Sequence, residues 1–205
     1  MATVGLIDYG AGNFASVLNA LQYLGLDVER VSLPEHLARA THVILPGVGA
    51  FAAAMRRLEA SGLVDALREA VLGRARPFLG ICVGMQLLAD AGHEFGTCPG
   101  LGWIGGSVER IEAEPAGLRL PHIGWNSLEI RRGSPLFAGL GDAPTFYFLH
   151  SYHLRPAAAE ATLATCRYGI DVASVVARGN VFGVQFHPEK SQRDGLKLLA
   201  NFAAV

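Results

Sequence analysis

Pro77-Phe78-Leu79-Gly80-Ile81-Cys82-Val83-Gly84-Met85-Gln86 is an apolar strand that runs into Gly80-x-Cys82-x-Gly84 and then into a helix. Glycines on either side let a strained strand-to-helix turn pass close to its neighbours. The central side chain is left exposed at the C-terminal edge of a sheet. This is the cysteine form of a nucleophile elbow, and the sequence before it supplies the sheet. Short apolar runs at 3–8, 27–32, 42–45 and 77–81 alternate with amphipathic stretches, the mark of β-α units around a parallel sheet. After the turn at Tyr9-Gly10-Ala11-Gly12-Asn13, Phe14, Val17, Leu18, Leu21 and Leu24 recur at helical spacing. Asn13 is placed to cap that helix and Gly25 to stop it, and residues 52–73 read as helical.

Beyond the elbow the pattern changes. Residues 92–120 dissolve into glycine, proline and scattered short runs, giving a loop region with one strand at 108–111. Stretches 123–130, 145–151, 161–167, 171–177 and 180–186 are rich in Val, Ile and aromatics and predict an antiparallel extension. Leu196, Leu199 and Phe202 stripe a closing helix over 192–203. With no repeat or linker, residues 1–205 read as a single domain.

Composition narrows the function. Hydrophobic residues at 51% and charged residues at 17% argue against disorder, and a net charge of −1 leaves no basic field for nucleic acid or anionic lipid. No apolar stretch reaches the roughly 18 residues of a membrane span, and the Met1-Ala2-Thr3-Val4 start lacks a basic signal region, so a soluble cytoplasmic chain is expected. Three cysteines with no C-x-x-C pair predict neither disulfides nor a thiolate zinc site. No H-E-x-x-H spacing occurs, His150 and His153 read as lining a strand end, and no metal or cofactor is expected.

A free cysteine is by default a small buried hydrophobe, and Cys98 and Cys166 read that way. Cys82 differs because of its glycines and because a thiol facing a helix N-terminus is favoured as thiolate. Its base is sought among seven histidines. His187 ends the run Val181-Phe182-Gly183-Val184-Gln185-Phe186 and precedes Pro188-Glu189, so it sits at a strand's end. Proline stiffens the turn and lets Glu189 accept a hydrogen bond from the imidazole, fixing its tautomer. Cys82, His187 and Glu189 then form a triad of nucleophile, proton shuttle and orienter. Acyl chemistry also needs an oxyanion hole; the amide of Val83 can give one donor and the turn Pro46-Gly47-Val48-Gly49 the other. Gly10-x-Gly12-x-x-Ala15 imitates a dinucleotide fingerprint, weakly, since Asp8 and Tyr9 crowd its approach.

Together, Gly80-Ile81-Cys82-Val83-Gly84-Met85-Gln86 and Phe182-Gly183-Val184-Gln185-Phe186-His187-Pro188-Glu189 resemble the two signature blocks of triad, or class I, glutamine amidotransferases. Val4 to Asn13, Pro46 to Phe51, His122-Ile123-Gly124-Trp125-Asn126, Phe146 to Tyr152 and Pro188-Glu189-Lys190-Ser191 are similar, more narrowly, to the glutaminase subunits of imidazole glycerol phosphate synthases. The resemblance implies an open, mostly parallel, flavodoxin-like sheet flanked by helices. It implies hydrolysis of L-glutamine through a thioester on Cys82, in histidine biosynthesis, with ammonia passed to a (βα)8-barrel cyclase subunit in a heterodimer. His187 becomes base and acid, Glu189 its orienter, and the amides of Val48 and Val83 the oxyanion hole. Gln86 and Glu94 are implied to hold the substrate amino group, Gly49 to frame the site, and the amides of Ser151 and Tyr152 to take the carboxylate. Asn13, Trp125, Tyr147 and Lys190 are implied at the partner interface.

Many relatives carry a second glycine where this chain has Val48. Valine resists positive φ by on the order of 1–2 kcal/mol, so a peptide flip that completes the oxyanion hole is expected to need the partner and its ligand. Three other readings make different predictions. Another amidotransferase subunit of the same fold would lack Val48 and the His122-to-Asn126 block. A nucleotide-binding module built on the Gly10 turn would ignore alkylation of Cys82. A non-catalytic scaffold would tolerate Cys82→Ser.

Overall fold

The computed structural model describes residues 2–10 and 12–205; Met1 and Ala11, which fall in the expected start and in the first turn, lie outside them. Five parallel strands form the heart of an eight-stranded sheet: β1 (Thr3–Ile7), β2 (Asp27–Val31), β3 (His42–Gly47), β4 (Phe78–Cys82) and β14 (Val181–Val184). Their order is β2-β1-β3-β4-β14, so the strands with the most apolar runs lie centrally, buried on both faces. The helices cover those faces. Helix α1 (Phe14–Tyr23) buries Val17, Ala20 and Leu21, and α5 (Gln192–Phe202) buries Leu198, Leu199 and Phe202. Between β3 and β4 run α2 (Phe51–Ala60), α3 (Val64–Arg68) and a π turn (Glu69–Gly73), where a single helical stretch is expected from the sequence. Gly62, at φ 71°, breaks it.

The open α/β reading of the first ninety residues therefore holds, with strand ends displaced by a residue or two. The C-terminal half is more divided than its sequence indicates. Antiparallel β13 (Ile170–Arg178), β12 (Thr162–Tyr168) and β9 (Glu129–Ile130) extend the main sheet. Strand β14, expected in that antiparallel extension, pairs antiparallel with β13 but parallel with β4, and so closes the parallel core. β8 (His122–Ser127) and β10 (Thr145–His150) form a separate two-stranded ribbon. The segment 92–120 is not simply a loop. β7 (Gly106–Arg110) pairs with β11 (Tyr152–Pro156) and β5 (Ala91–Gly92), and β6 (Cys98–Pro99) completes a small second sheet. Two-residue strands carry no period-2 signal, which is why the sequence hides them. Among the described residues, no helix is long and apolar enough to cross a membrane.

In a parallel sheet all C-terminal strand ends share one edge, where ligands of open α/β sheets bind. Gly47 stands opposite Cys82, and Val184 opposite Ile81. The turn after β3, the elbow after β4 and the segment after β14 are thereby brought side by side.

Candidate active site

At the elbow, Cys82 adopts φ 54°, ψ −112°, left-handed backbone that a residue with a Cβ rarely takes. Close packing holds it there. A Cβ on Gly84 would lie 2.0 Å from the Leu45 carbonyl oxygen, one on Gly80 2.4 Å from that of Gly84, and one on Gly47 2.5 Å from the Gly84 nitrogen. Three glycines therefore let the one-turn helix α4 (Val83–Gln86) sit directly on β3 and β4. Cys82 lines a cleft of about 270 Å3 with Val48, Gly49, Val83, Gln86, Glu94, Ser151, Tyr152 and His187. The residues assigned from sequence to chemistry and substrate share this one hollow, Glu189 standing behind His187. A larger cleft of about 370 Å3 beside Glu109, His153, Arg155 and Asp171 contains no nucleophile. Two of its charges are already paired, Glu109 with Arg155 at 2.7 Å and Asp171 with Arg167 at 2.9 Å.

His187 follows β14 and is buried. Its Nδ1 lies 2.8 Å from Glu189 Oε1, which leaves Nε2 for the Cys82 thiol, with which the imidazole shares the cleft. Burial alone would lower its pKa, but the hydrogen bonds and charges of Cys82 and Glu189 outweigh that and push it up to about 10. The His187 main chain is fixed as firmly. Its N–H donates to the Tyr147 carbonyl at 2.9 Å, and its own carbonyl accepts from Ser191 Oγ at 2.6 Å.

Glu189 has a second partner that sequence reading misplaces. Asn13 occupies the N-cap position of α1 but makes no side-chain cap; its Nδ2 donates instead to Glu189 Oε1 at 2.6 Å. The Glu189 side chain is fully buried, and among the described residues no protein donor reaches its Oε2. Trp125 and Tyr147 face one another across the β8–β10 ribbon, their ring centroids 6.1 Å apart. Trp125 and Lys190 are exposed and Tyr147 half-buried, and the Lys190 N–H bonds the His187 carbonyl at 3.0 Å.

Further polar groups serve the cleft. Gln86 Nε2 donates to the Tyr152 carbonyl at 2.9 Å and to Gln185 Oε1 at 3.1 Å, while Gln185 Nε2 lies 3.8 Å from Cys82 Sγ. Gln185 went unnoticed in the sequence although a polar residue in an apolar run is a recognisable signal. Glu94 Oε2 accepts the Phe51 N–H at 2.8 Å, at the start of α2 directly after the Pro46-to-Ala50 turn. Tyr9 Oη donates to the Pro46 carbonyl at 3.1 Å, and burial pushes its phenol well above the ordinary value. That contact, with Arg57 on the Gly10 carbonyl at 2.8 Å, ties Tyr9 and Gly10 to the Pro46-to-Ala50 turn and to α2. The turn therefore packs on protein where the dinucleotide reading requires a pyrophosphate. Among the described residues, Val48 is not one of those with left-handed φ, whereas Gly49 has φ 89°. Cys166 is buried and its thiol is pushed up to about 11, chiefly by burial. Cys98 is half-buried on β6, with a 3.6 Å contact to the Pro99 carbonyl.

The arrangement can perform nucleophilic acyl chemistry. A family model described as glutamine amidotransferase class-I matches residues 5–205. Imidazole glycerol phosphate synthase subunit HisH of Rhodospirillum rubrum is 51% identical over 97% of both chains. The protein of the same name from Caulobacter vibrioides is 48% identical over 98% of both. Among solved structures, one described as a glutamine amidotransferase superposes with a TM-score of 0.76 at 27% identity, covering 98% of this chain and 99% of that one. PurLQS from Thermotoga maritima contains a chain of the same fold, with a TM-score of 0.76 at 17% identity, covering 98% of this chain and 97% of that one.

Proposed function

The chain belongs to the class-I glutamine amidotransferases, and on that basis we infer that it is the glutamine-hydrolysing subunit of an imidazole glycerol phosphate synthase, acting in histidine biosynthesis. Near-full-length identity to subunits of that synthase supports the pathway. The chemistry rests on one observation, a strained elbow cysteine sharing one cleft with a buried His187 that is held by Glu189 at 2.8 Å.

The Cys82 thiolate adds to the carboxamide carbon of glutamine, and the resulting oxyanion is taken by the amides of Val48 and Val83. His187 then gives its proton to the amide nitrogen. The C–N bond breaks, ammonia leaves, and a thioester remains. Water attacks the thioester as His187 removes its proton, Sγ departs as thiolate, and glutamate is released. Glu189 keeps Nδ1 protonated throughout and stabilises the imidazolium. Glu94 and the Gln86 carbonyl oxygen hold the substrate ammonium, Gly49 frames the site, and the amides of Ser151 and Tyr152 take its carboxylate.

Ammonia passes to a separate cyclase subunit, a (βα)8 barrel in this reading, which docks over Asn13, Trp125, Tyr147 and Lys190. Exposed Trp125 beside Tyr147 supplies the aromatic anchors common at such interfaces. With Val48 outside the left-handed region, docking and cyclase ligand drive the peptide flip that completes the oxyanion hole. The test is glutamate release by the chain alone, then with the cyclase subunit and its nucleotide ligand, with Cys82→Ala as blank. A low rate that rises steeply with partner and ligand is expected. A high rate indifferent to the cyclase would assign the chain to another synthase, and no Cys82-dependent release would remove the glutaminase reading.

A further inference from the structure

On the β8–β10 ribbon, reaching the cleft at His150, stands a row of polar side chains that the hydrolysis described above does not use. His150 and His122 are both buried, and His122 is clamped between the rings of Phe148 and Tyr168, with centroids 4.6 and 4.1 Å away. His150 Nδ1 lies 2.9 Å from the Tyr152 carbonyl oxygen. A carbonyl only accepts, so Nδ1 carries the hydrogen and, in a neutral ring, Nε2 is an acceptor. That Nε2 meets His122 Nδ1 at 3.1 Å, which must therefore donate. His122 Nε2 in turn accepts from Asn126 Nδ2 at 3.3 Å, and Asn126 also donates to the Arg167 carbonyl at 3.0 Å. Every hydrogen in the row runs the same way, from Asn126 to His122 to His150 to the Tyr152 carbonyl. Burial lowers the pKa of His122 to about 4 and of His150 to about 3, so both rings stay neutral acceptors at ordinary pH.

The row ends at the cleft. Tyr152 stands opposite Arg110, and the Ile111 N–H bonds the Ser151 carbonyl at 2.9 Å, so Tyr152 and Arg110 are a non-hydrogen-bonded pair. The N–H and C=O of Tyr152 both point away from β7, and Gln86 shares the same carbonyl at 2.9 Å. Two donors on that oxygen fix the Tyr152–His153 peptide, the one that directly follows the Ser151 and Tyr152 amides.

We propose that His150, backed by His122 and Asn126, is a positioning residue for the substrate α-carboxylate, holding the Ser151–Tyr152 turn in the orientation that receives it. The proposal rests on the glutaminase reading above.

The experiment uses the complex with its cyclase subunit and compares His150→Leu, His150→Asn and His122→Phe. Glutamine KM and kcat are measured beside the rate at which iodoacetamide, which has no α-carboxylate, alkylates Cys82. His150→Leu should raise KM by about tenfold, the loss of one hydrogen bond, with kcat and alkylation little changed. His150→Asn, whose amide nitrogen can take the place of Nδ1, should restore most of the KM. His122→Phe, which fits the same aromatic slot, should raise KM less than His150→Leu does, and it carries the test if His150→Leu does not fold. An unchanged KM in the folded leucine or phenylalanine variant would overturn the proposal. So would an asparagine variant no better than leucine, or a common fall in kcat and alkylation. No Cys82-dependent glutamate release from the wild-type complex would overturn the glutaminase reading, and this proposal with it.

Discussion

Removing the Asn13 amide tests whether the triad has a fourth member. Glu189 Oε1 accepts two hydrogen bonds, from His187 Nδ1 at 2.8 Å and Asn13 Nδ2 at 2.6 Å, on a side chain wholly out of water. Its other oxygen has no protein donor among the described residues, so Asn13→Ala leaves the carboxylate with His187 alone. A hydrogen bond to a buried charge is worth about 1.5–3 kcal/mol. Glu189 stabilises the imidazolium most when it forms, so most of that loss falls on the transition state. At 1.4 kcal/mol per decade, kcat/KM should drop roughly 10- to 100-fold. Asn13→Asp should be worse than alanine, because it sets a second carboxylate against the first. The assay is glutamate release with the cyclase subunit saturating, so that weakened docking at Asn13 is separated from weakened chemistry. Retention of kcat/KM within about twofold in Asn13→Ala, or an aspartate variant as active as alanine, would refute the reasoning, since neither fits a buried charge-assisted bond.

Gly84→Ala drives a Cβ to 2.0 Å from the Leu45 carbonyl; loss of Cys82-dependent activity and a thermal midpoint lowered by the equivalent of about 3 kcal/mol are expected, read by circular dichroism. Val48→Gly removes the β-branched penalty on the flip and should raise partner-free glutaminase activity several-fold; no rise counts against gating at that peptide. Iodoacetamide at pH 8 should label Cys82 before Cys166, whose thiol is pushed up to about 11, as read by peptide mass spectrometry. His122 and His150 have folded pKa values near 4 and 3 against 6.5, so below pH 6.5 the unfolded chain takes up protons first. Stability then falls by about 1.4 kcal/mol per pH unit per histidine until the folded values are reached. His187 has the opposite sign, its contribution being full below pH 6.5 and lost as pH climbs through its raised folded value. Urea midpoints at pH 7, 6 and 5 should therefore decline, with a shallower slope in His122→Phe.

The parallel core was legible because β1, β3 and β4 are apolar runs between amphipathic helices, and the elbow because Gly80 and Gly84 flank a cysteine. His187 and Glu189 were legible from their place after a strand. Asn13 was misread because an asparagine before a helix has two uses for its amide, and only the fold brings residue 189 within reach of residue 13. The Gln86–Gln185 and His122–His150 contacts were invisible for the same reason, being partnerships across large sequence separations. Strands β5 and β6 exist through pairing and not through pattern. The direction of β14 follows from its hairpin with β13, since a strand antiparallel to that neighbour can complete the parallel set on its other side.

Cys82 is held at a backbone angle that costs a non-glycine residue roughly 1–3 kcal/mol. Folding alone, then, selects against the nucleophile: glycine at that position would relax the turn, while alanine would keep the strain and lose only the sulfur. Copies of such a gene that no longer have to make ammonia should drift towards glycine there, as stability stops competing with chemistry. An otherwise intact elbow carrying glycine at the cysteine's place would be the fossil of a lost activity.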